Sequence, residues 1–135
     1  MTAEAETIVQ NVYERFRQGD IEGFLTLCHQ DIEWVVNGPA TLQKCRRFIG
    51  ISGVREFLDI LGSSWTFSSF EPRQFLVAGS AVAVLGEETG NDRVTAVPFR
   101  NRWVHVFDVS HGRVSRFREF LCHWSGDEQP PDMTW

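Results

Sequence analysis

The spacing of the apolar residues changes from mainly helical to strand-like near Gly62, and this change restricts the possible folds more than any other feature. Before it, Ile8, Val12 and Phe16 recur at helical intervals, and the stretch 52–61 repeats the pattern. After it, apolar and β-branched residues form short runs separated by turn residues, as in successive strands. Helices that precede a long antiparallel meander are typical of an α+β domain.

Local signals divide the first half of the chain into three helices and one early strand. A first helix over about 3–18 ends at Gly19, and Asp20 is a suitable N-cap for a short second helix. The β-branched run IEWVV at 32–36 predicts a strand. Ser52 can cap a third helix with an apolar stripe.

The second half predicts a sheet that curves around these helices. Its strand-like runs are WTFSSF, RQFLVAG, AVAVLGEE, TAVPFRNRWVHVFDV and RVSRFREFLCHW. The basic stretch 40–50 has no regular period and predicts a loop. We expect three N-terminal helices packed on a strongly curved antiparallel or mixed sheet, which gives one cone-shaped domain over 1–124 and a polar tail over 125–135. The mouth of such a cone is a natural small-molecule site.

Composition and charge argue against several classes of function. The net charge of −5 gives no support for a nucleic-acid partner. No apolar run approaches the roughly 18 residues of a membrane helix, and the acidic start MTAEAETIV is unlike a signal peptide. Three cysteines without framework spacing argue against a secreted disulfide scaffold. We therefore expect a cytoplasmic protein with neither a nucleic-acid nor a membrane partner.

Aromatic residues are more frequent than a minimal core requires. The chain holds eleven Phe and five Trp residues among 135. This excess predicts an apolar cavity, an apolar dimer face or both, and an aromatic-rich core is the simpler alternative. We expect a homodimer that forms through the outer face of the sheet.

The segment RWVHVFDVSHGRVSRFREFLCHW, from 102 to 124, places two ionisable residues among large apolar ones. His105 and Glu119 each share a strand face with apolar neighbours two positions away. If the loop between the strands has two residues, His111 and Gly112, His105 lies opposite Arg118 and Glu119 points to the other face. If the loop has three residues, His105 lies directly opposite Glu119.

The apolar pattern favours the three-residue loop. That register pairs Trp103 with Leu121 and Phe107 with Phe117, which builds a continuous apolar wall around the polar pair. It also sends the arginines of the second strand to the opposite face. A histidine and a carboxylate inside an apolar cone can share a proton near neutral pH, where general acid–base catalysis is most effective.

Four motifs in order give the chain a family resemblance: the opening helix ending in GDIEGF, then HQDIEWVVNGP, GISGVREFL and HGRVSRFREFL. Over about 5–124 the chain resembles the NTF2-like superfamily, specifically its SnoaL-like and ketosteroid-isomerase-like members. The resemblance implies the cone-shaped fold. It does not imply one function, because this fold carries isomerases, cyclases, epoxide hydrolases, dehydratases and non-catalytic dimerisation modules.

The resemblance transfers to individual positions with one clear departure. The general-base aspartate of ketosteroid isomerases falls on Val36, with Asn37 the nearest polar group, so ordinary ketosteroid isomerase chemistry is not expected. The acid on the oxyanion side of those enzymes falls near His105. Glu119 matches the acidic residue on the last strand of SnoaL-like cyclases, and many relatives have an aspartate where this chain has Cys122.

These observations predict a site in the cone. We expect His105 to remove a proton while Glu119 orients it, and Tyr13 or Asn37 to donate a hydrogen bond to a developing oxyanion. The residues predicted to contact the substrate are Trp34, Val36, Asn37, Trp103, Phe107, Phe117 and Leu121.

The predicted function is cofactor-independent acid–base chemistry on a small apolar carbonyl or polyketide-like compound, as a cyclase, an isomerase or a lyase that dehydrates its substrate. Cys28–His29 and Cys122–His123 are adjacent pairs, and adjacent strand residues point to opposite faces, so we expect no metal. Two alternatives remain open: epoxide opening by an activated water, and a ligand-binding or dimerisation module without catalysis.

Overall fold

A computed structural model describes residues 2–131 as three helices and a six-stranded mixed sheet. The elements in chain order are α1 (Thr2–Gln18), α2 (Ile21–Thr26), β1 (Cys28–Asn37), β2 (Arg47–Ile49), α3 (Gly50–Ser64), β3 (Trp65–Ala78), β4 (Ala81–Asp92), β5 (Pro98–Ser110) and β6 (Arg113–Ser125). The strand order is β2-β1-β6-β5-β4-β3. Neighbouring strands are antiparallel except β1 and β6, which are parallel. The predicted α+β cone is confirmed, and residues 132–135 of the predicted tail lie outside the described part.

Two of the predicted helix signals are confirmed. α1 ends before Gly19, whose φ of +70° reverses the chain as a glycine does most easily. The Asp20 carboxylate accepts a hydrogen bond from the Gly23 backbone N–H at 2.9 Å and so caps α2. Val9 and Val12 on the apolar stripe of α1 are buried against the sheet.

The predicted cap of the third helix is wrong. α3 begins at Gly50 rather than at Ser52, and Ile49 occupies the N-cap position without a side-chain hydrogen bond. The reason is that β2 leads directly into the helix. Gly50 has a φ of +73°, which lets the chain turn from strand to helix within one residue.

Strand boundaries differ from the sequence pattern in two places. β2 forms within the stretch 40–50 that predicted a loop, and it pairs with β1. WTFSSF and RQFLVAG belong to a single strand, β3, at the edge of the sheet. Its register shifts between Pro72 and Gln74, which accommodates a proline that cannot donate a ladder hydrogen bond.

The β5–β6 hairpin has the predicted pairing but not the predicted loop. His111 and Gly112 form a two-residue turn, with φ of +53° and +77°. Ser115 then has no partner in the ladder, so this bulge moves the register by one residue. As a result, His105 lies directly opposite Glu119. The two-residue turn alone would have put His105 and Glu119 on opposite faces of the sheet. The one-residue bulge brings them back to the same face.

The core lies between the helices and the inner face of the sheet. Its fully buried side chains are Trp103, Phe107, Ile32, Val9, Val54, Val82, Val84 and Val114. Gly86 on β4 makes room for the Trp103 ring, because a Cβ atom there would overlap the indole. No helix in the described residues is both long enough and apolar enough to cross a membrane.

Candidate active site

A small cavity lies between the helices and the inner face of the sheet. Its free volume is about 40 Å³, which is room for a few water molecules. Most of its wall is aromatic or aliphatic, and five polar side chains also line it: Tyr13, Lys44, Glu88, His105 and Glu119. Typical small-molecule sites measure roughly 300–1,000 Å³. Any larger ligand therefore requires side chains of the wall to move.

Three of these polar residues form a buried chain of close polar contacts. His105 Nδ1 lies 2.7 Å from the Tyr13 hydroxyl oxygen. His105 Nε2 lies 3.4 Å from a carboxylate oxygen of Glu119. Each residue comes from a different element, since Tyr13 is on α1, His105 on β5 and Glu119 on β6. The Trp103 indole stacks on the His105 ring at 3.7 Å with 5° between the planes, which fixes the imidazole orientation.

Burial and charge determine where the protons of this chain reside. Burial would raise the pKa of the Glu119 carboxyl, but Lys44 and His105 outweigh it and leave the pKa below its ordinary value. Burial, and then the charge of Glu119, raises the pKa of Tyr13 well above its ordinary value. Tyr13 therefore keeps its proton, its hydroxyl lies within hydrogen-bond distance of His105 Nδ1, and His105 Nε2 faces the Glu119 carboxylate.

A second polar cluster borders the cavity, and sequence reasoning missed it. The Lys44 ammonium lies 3.6 Å from a carboxylate oxygen of Glu88, and both side chains are buried. The Asn101 amide donates to the same oxygen at 2.8 Å. The Asn101 amide oxygen lies 2.7 Å from His123 Nδ1, which donates to it. Burial and then Lys44 lower the pKa of His123.

Lys44 carries its positive charge inside the protein. Burial would lower its pKa, but the nearby carboxylates of Glu88 and Glu119 together raise it above the ordinary value. A signal for Glu88 was present in the sequence, because strand alternation places it on the same face as the buried Val82 and Val84. Lys44 gave no comparable signal in its irregular segment.

The other predicted site residues separate into two groups. Trp34, Phe107 and Phe117 line the cavity. Four lie outside its lining: Val36, Asn37, Trp103 and Leu121. The Asn37 amide donates to the backbone carbonyl of Glu119 at 3.0 Å, so it supports the strand rather than facing the cavity.

Metal-binding groups are not brought together within residues 2–131. No three His, Cys, Asp or Glu side chains there are close enough to hold one ion.

Burial raises the pKa of the Cys28 thiol to about 12. This thiol therefore stays protonated at neutral pH and is a poor nucleophile.

A known domain family matches this architecture. The SnoaL-like domain matches residues 9–117 of the sequence. The chain belongs to the SnoaL-like domain family. No functionally curated protein matches it.

Solved structures with the same fold are also similar to this chain. An NTF2-like protein from Burkholderia xenovorans is 27% identical, with 90% of this chain and 92% of that chain covered and a TM-score of 0.82. TerC, co-crystallised with polyporic acid, is 25% identical, with 88% and 92% covered and a TM-score of 0.78. A candidate ketosteroid isomerase from Kribbella flavida is 18% identical, with 98% and 85% covered and a TM-score of 0.69, and it shows the fold alone.

Proposed function

We propose that this SnoaL-like protein catalyses cofactor-independent proton transfer on a small carbonyl compound whose apolar, uncharged reacting end is bound in the cavity. The proposal rests on the buried Tyr13–His105–Glu119 chain on the cavity wall. The Tyr13 hydroxyl lies 2.7 Å from His105 Nδ1, and His105 Nε2 lies 3.4 Å from the Glu119 carboxylate. Similarity to TerC, which was crystallised with polyporic acid, supports a small organic substrate. Isomerisation, cyclisation and dehydration are the outcomes that this chemistry allows.

The proposed step begins when the substrate carbonyl oxygen takes over the Tyr13 O–H hydrogen bond. The lone pair on His105 Nδ1 is then free to remove a proton from the carbon next to the carbonyl. The C–H bonding electrons form an enolate, and its oxygen is held by the Tyr13 hydroxyl. The new imidazolium is stabilised by the Glu119 carboxylate at Nε2–H.

The fate of the enolate decides the product. Return of the proton from His105 to a different carbon gives isomerisation. Attack of the enolate carbon on a second carbonyl breaks its C–O π bond, and the alkoxide that forms takes up the His105 proton, which gives cyclisation. Loss of a hydroxyl group from the next carbon, which combines with the His105 proton to form water, gives dehydration. All three use the same proton acceptor, so one assay design covers them.

Turnover of a panel of cyclic ketones, polyketide-like carbonyl compounds and one epoxide tests the proposal. His105→Ala and Glu119→Gln should each lower kcat by about 10²–10⁴-fold on any accepted carbonyl compound. His29→Ala and Glu33→Gln are the matched controls, because neither residue lines the cavity, and they should leave kcat unchanged. Circular dichroism checks that every variant is folded.

Three results would contradict this function. Unchanged turnover in both His105→Ala and Glu119→Gln would exclude the site. Tight binding of a panel compound without turnover would favour a ligand-binding module. Turnover of the epoxide alone would instead support ring opening by an activated water.

We further propose that two copies pair through the outer face of the sheet. Phe120 lies on that face of β6, 48% exposed, although β6 is an inner strand of the sheet. Its neighbour in the ladder, Val104, is only partly buried. An apolar strip in the middle of a sheet face is a surface that a second copy can cover.

A further inference from the structure

An open groove lies on the outer side of the cavity wall. It has a volume of about 600 Å³ and lies between the C-terminal ends of α1 and α3 and the first residues of β3. We call it the outer groove. Five residues line both the outer groove and the cavity: Phe16, Leu58, Leu61, Phe67 and Phe70. A single layer of side chains therefore separates the two spaces.

Three phenylalanine rings form the part of this layer that is partly exposed. The ring centroids of Phe16 and Phe70 are 4.9 Å apart, and those of Phe16 and Phe67 are 6.5 Å apart. Phe67 and Phe70 are 6.4 Å apart. Partly exposed rings change rotamer rapidly and without breaking backbone hydrogen bonds. Rotation of these rings would join the cavity to a space large enough for a small-molecule ligand.

The charges inside the cavity disfavour an anion there. Glu88 and Glu119 contribute two negative charges and Lys44 one positive charge, all of them buried. These three groups alone sum to one excess negative charge. A further buried anion would have to be desolvated beside it, which is strongly unfavourable.

The charged side chains that line the outer groove are positive. Arg17 and Arg93 line it, and no carboxylate of residues 2–131 does. Arg17 is already paired with Glu14 at 2.6 Å. Arg93 has no ion-pair partner among residues 2–131, and its guanidinium contacts the Trp65 carbonyl at 3.5 Å.

Asp92, which precedes Arg93 in the sequence, does not neutralise the Arg93 charge. One carboxylate oxygen of Asp92 accepts hydrogen bonds from the backbone N–H groups of Val94 and Thr95, at 2.9 Å and 2.8 Å. These hydrogen bonds lower the pKa of Asp92 and hold its carboxylate in its own turn. Arg93 thus offers the outer groove a guanidinium that has no ion-pair partner among residues 2–131.

We propose that the outer groove binds the carboxylate end of an elongated substrate, with Arg93 as its ion-pair partner. The neutral aromatic or apolar end of that substrate passes the three phenylalanines into the cavity. This inference rests on the proposed function, since it takes the cavity as the place where the neutral end reacts. It narrows the substrate class to carbonyl compounds that carry an acid group at a distance from the reacting carbon.

Binding of unreactive probes tests the proposal separately from catalysis. The probes are a series of phenylalkanoic acids of increasing chain length and the matching primary amides, titrated by isothermal calorimetry. The best acid should bind about fivefold more tightly than its amide, equivalent to about 1 kcal/mol. The preference should decrease at high ionic strength, because the Arg93 contact is exposed to solvent.

Two arginine variants test whether Arg93 causes the preference for the acid over the amide. Arg93→Gln should reduce the ratio of acid to amide affinity to about one. Arg100→Gln is the matched control, since Arg100 is exposed, has no ion-pair partner in the described residues and lines no part of the outer groove. That variant should keep the fivefold ratio.

The possible outcomes separate this proposal from the proposed function. Equal affinity for acid and amide, tighter binding of the amide, no binding of either, or a preference that persists in Arg93→Gln would each overturn the outer-groove proposal. His105→Ala should lose turnover but keep the acid preference. Unchanged turnover in that variant with intact probe selectivity would overturn the catalytic site alone.

Discussion

The ammonium group of Lys44 lies 3.6 Å from the Glu88 carboxylate, and its charge also acts on Glu119. All three side chains are buried, so water screens none of these charges well. Lys44 therefore has a structural role in addition to bordering the cavity. It keeps Glu119 ionised, and an ionised Glu119 is what the proposed imidazolium needs as its partner.

Replacing Lys44 should destabilise the protein strongly and in a pH-dependent way. We expect Lys44→Met to lower the free energy of unfolding by about 3–5 kcal/mol at pH 7, because it leaves two buried carboxylates without their cation. Urea unfolding measures this loss. Arg46→Met is the control, because the Arg46–Glu56 ion pair is exposed, and it should cost less than about 1 kcal/mol.

The direction of the pH dependence follows from Glu119. In the wild type its pKa is below 4.5, so its stabilising effect is complete above pH 4.5 and is lost as the pH falls further. Without Lys44, we expect burial, the largest single contribution, to outweigh His105 and raise the pKa of Glu119, so that the folded variant takes up a proton more readily than the unfolded chain. The deficit of Lys44→Met should therefore shrink between pH 7 and about pH 5. A deficit independent of pH would contradict this account.

Individual site residues were predictable from the sequence where the alternation of strand faces reveals a polar residue among apolar ones. His105 and Glu119 stand out because each shares a strand face with large apolar residues, and the same rule applied to β4 would have found Glu88. Lys44 was not predictable in this way. Its burial depends on how the irregular segment before β2 folds over the cavity, and local sequence contains no sign of that.

At the level of elements, the β5–β6 hairpin decides the geometry of the site. Its two-residue turn and the Ser115 bulge have opposite effects on register, and together they place His105 opposite Glu119. The apolar pattern predicted the pairing correctly because one face must be buried. It predicted the wrong loop because a turn of two residues plus a bulge gives the same pairing as a loop of three.

The turn makes a specific demand on Gly112. Its φ is +77° and no other atom lies within 4 Å of an added Cβ, so a side chain there meets backbone strain alone. Gly112→Ala should lower the free energy of unfolding by about 1 kcal/mol. Gly62 near the end of α3 is equally open but has no positive φ, so Gly62→Ala should raise stability by up to about 1 kcal/mol.

Both glycine variants are compared by urea unfolding. Opposite signs would show that backbone conformation, rather than side-chain space, distinguishes the two positions. The same sign for both substitutions would contradict the assigned turn.

The periodic elements were the most predictable part of the fold, and the short ones the least. α1 and the long strands β4, β5 and β6 each contain enough alternating or helical spacing to identify them. β2 has only three residues, Arg47–Ile49, and two of them are exposed. Its strand geometry comes from pairing with β1, a tertiary effect that a three-residue pattern does not encode.

At the level of the whole molecule, the proposed dimer is tested by its mass in solution. We expect sedimentation equilibrium to give a dimer for the wild type and a monomer for Phe120→Glu, because the charge would be buried without a partner at the interface. Val94→Glu is the matched control, since Val94 is 89% exposed in the β4–β5 loop, and it should remain dimeric. A monomeric wild type, or a dimeric Phe120→Glu, would exclude this surface as the interface.

The parallel contact between β1 and β6 has a consequence for synthesis on the ribosome. β1 ends at Asn37, yet one of its two neighbours in the sheet begins only at Arg113. A nascent chain must therefore carry its early strand half-paired until β6 has emerged, and such long sequence separation slows folding. Because Glu119 belongs to that late strand, the contact between His105 and Glu119 in the cavity cannot form before β6 has emerged.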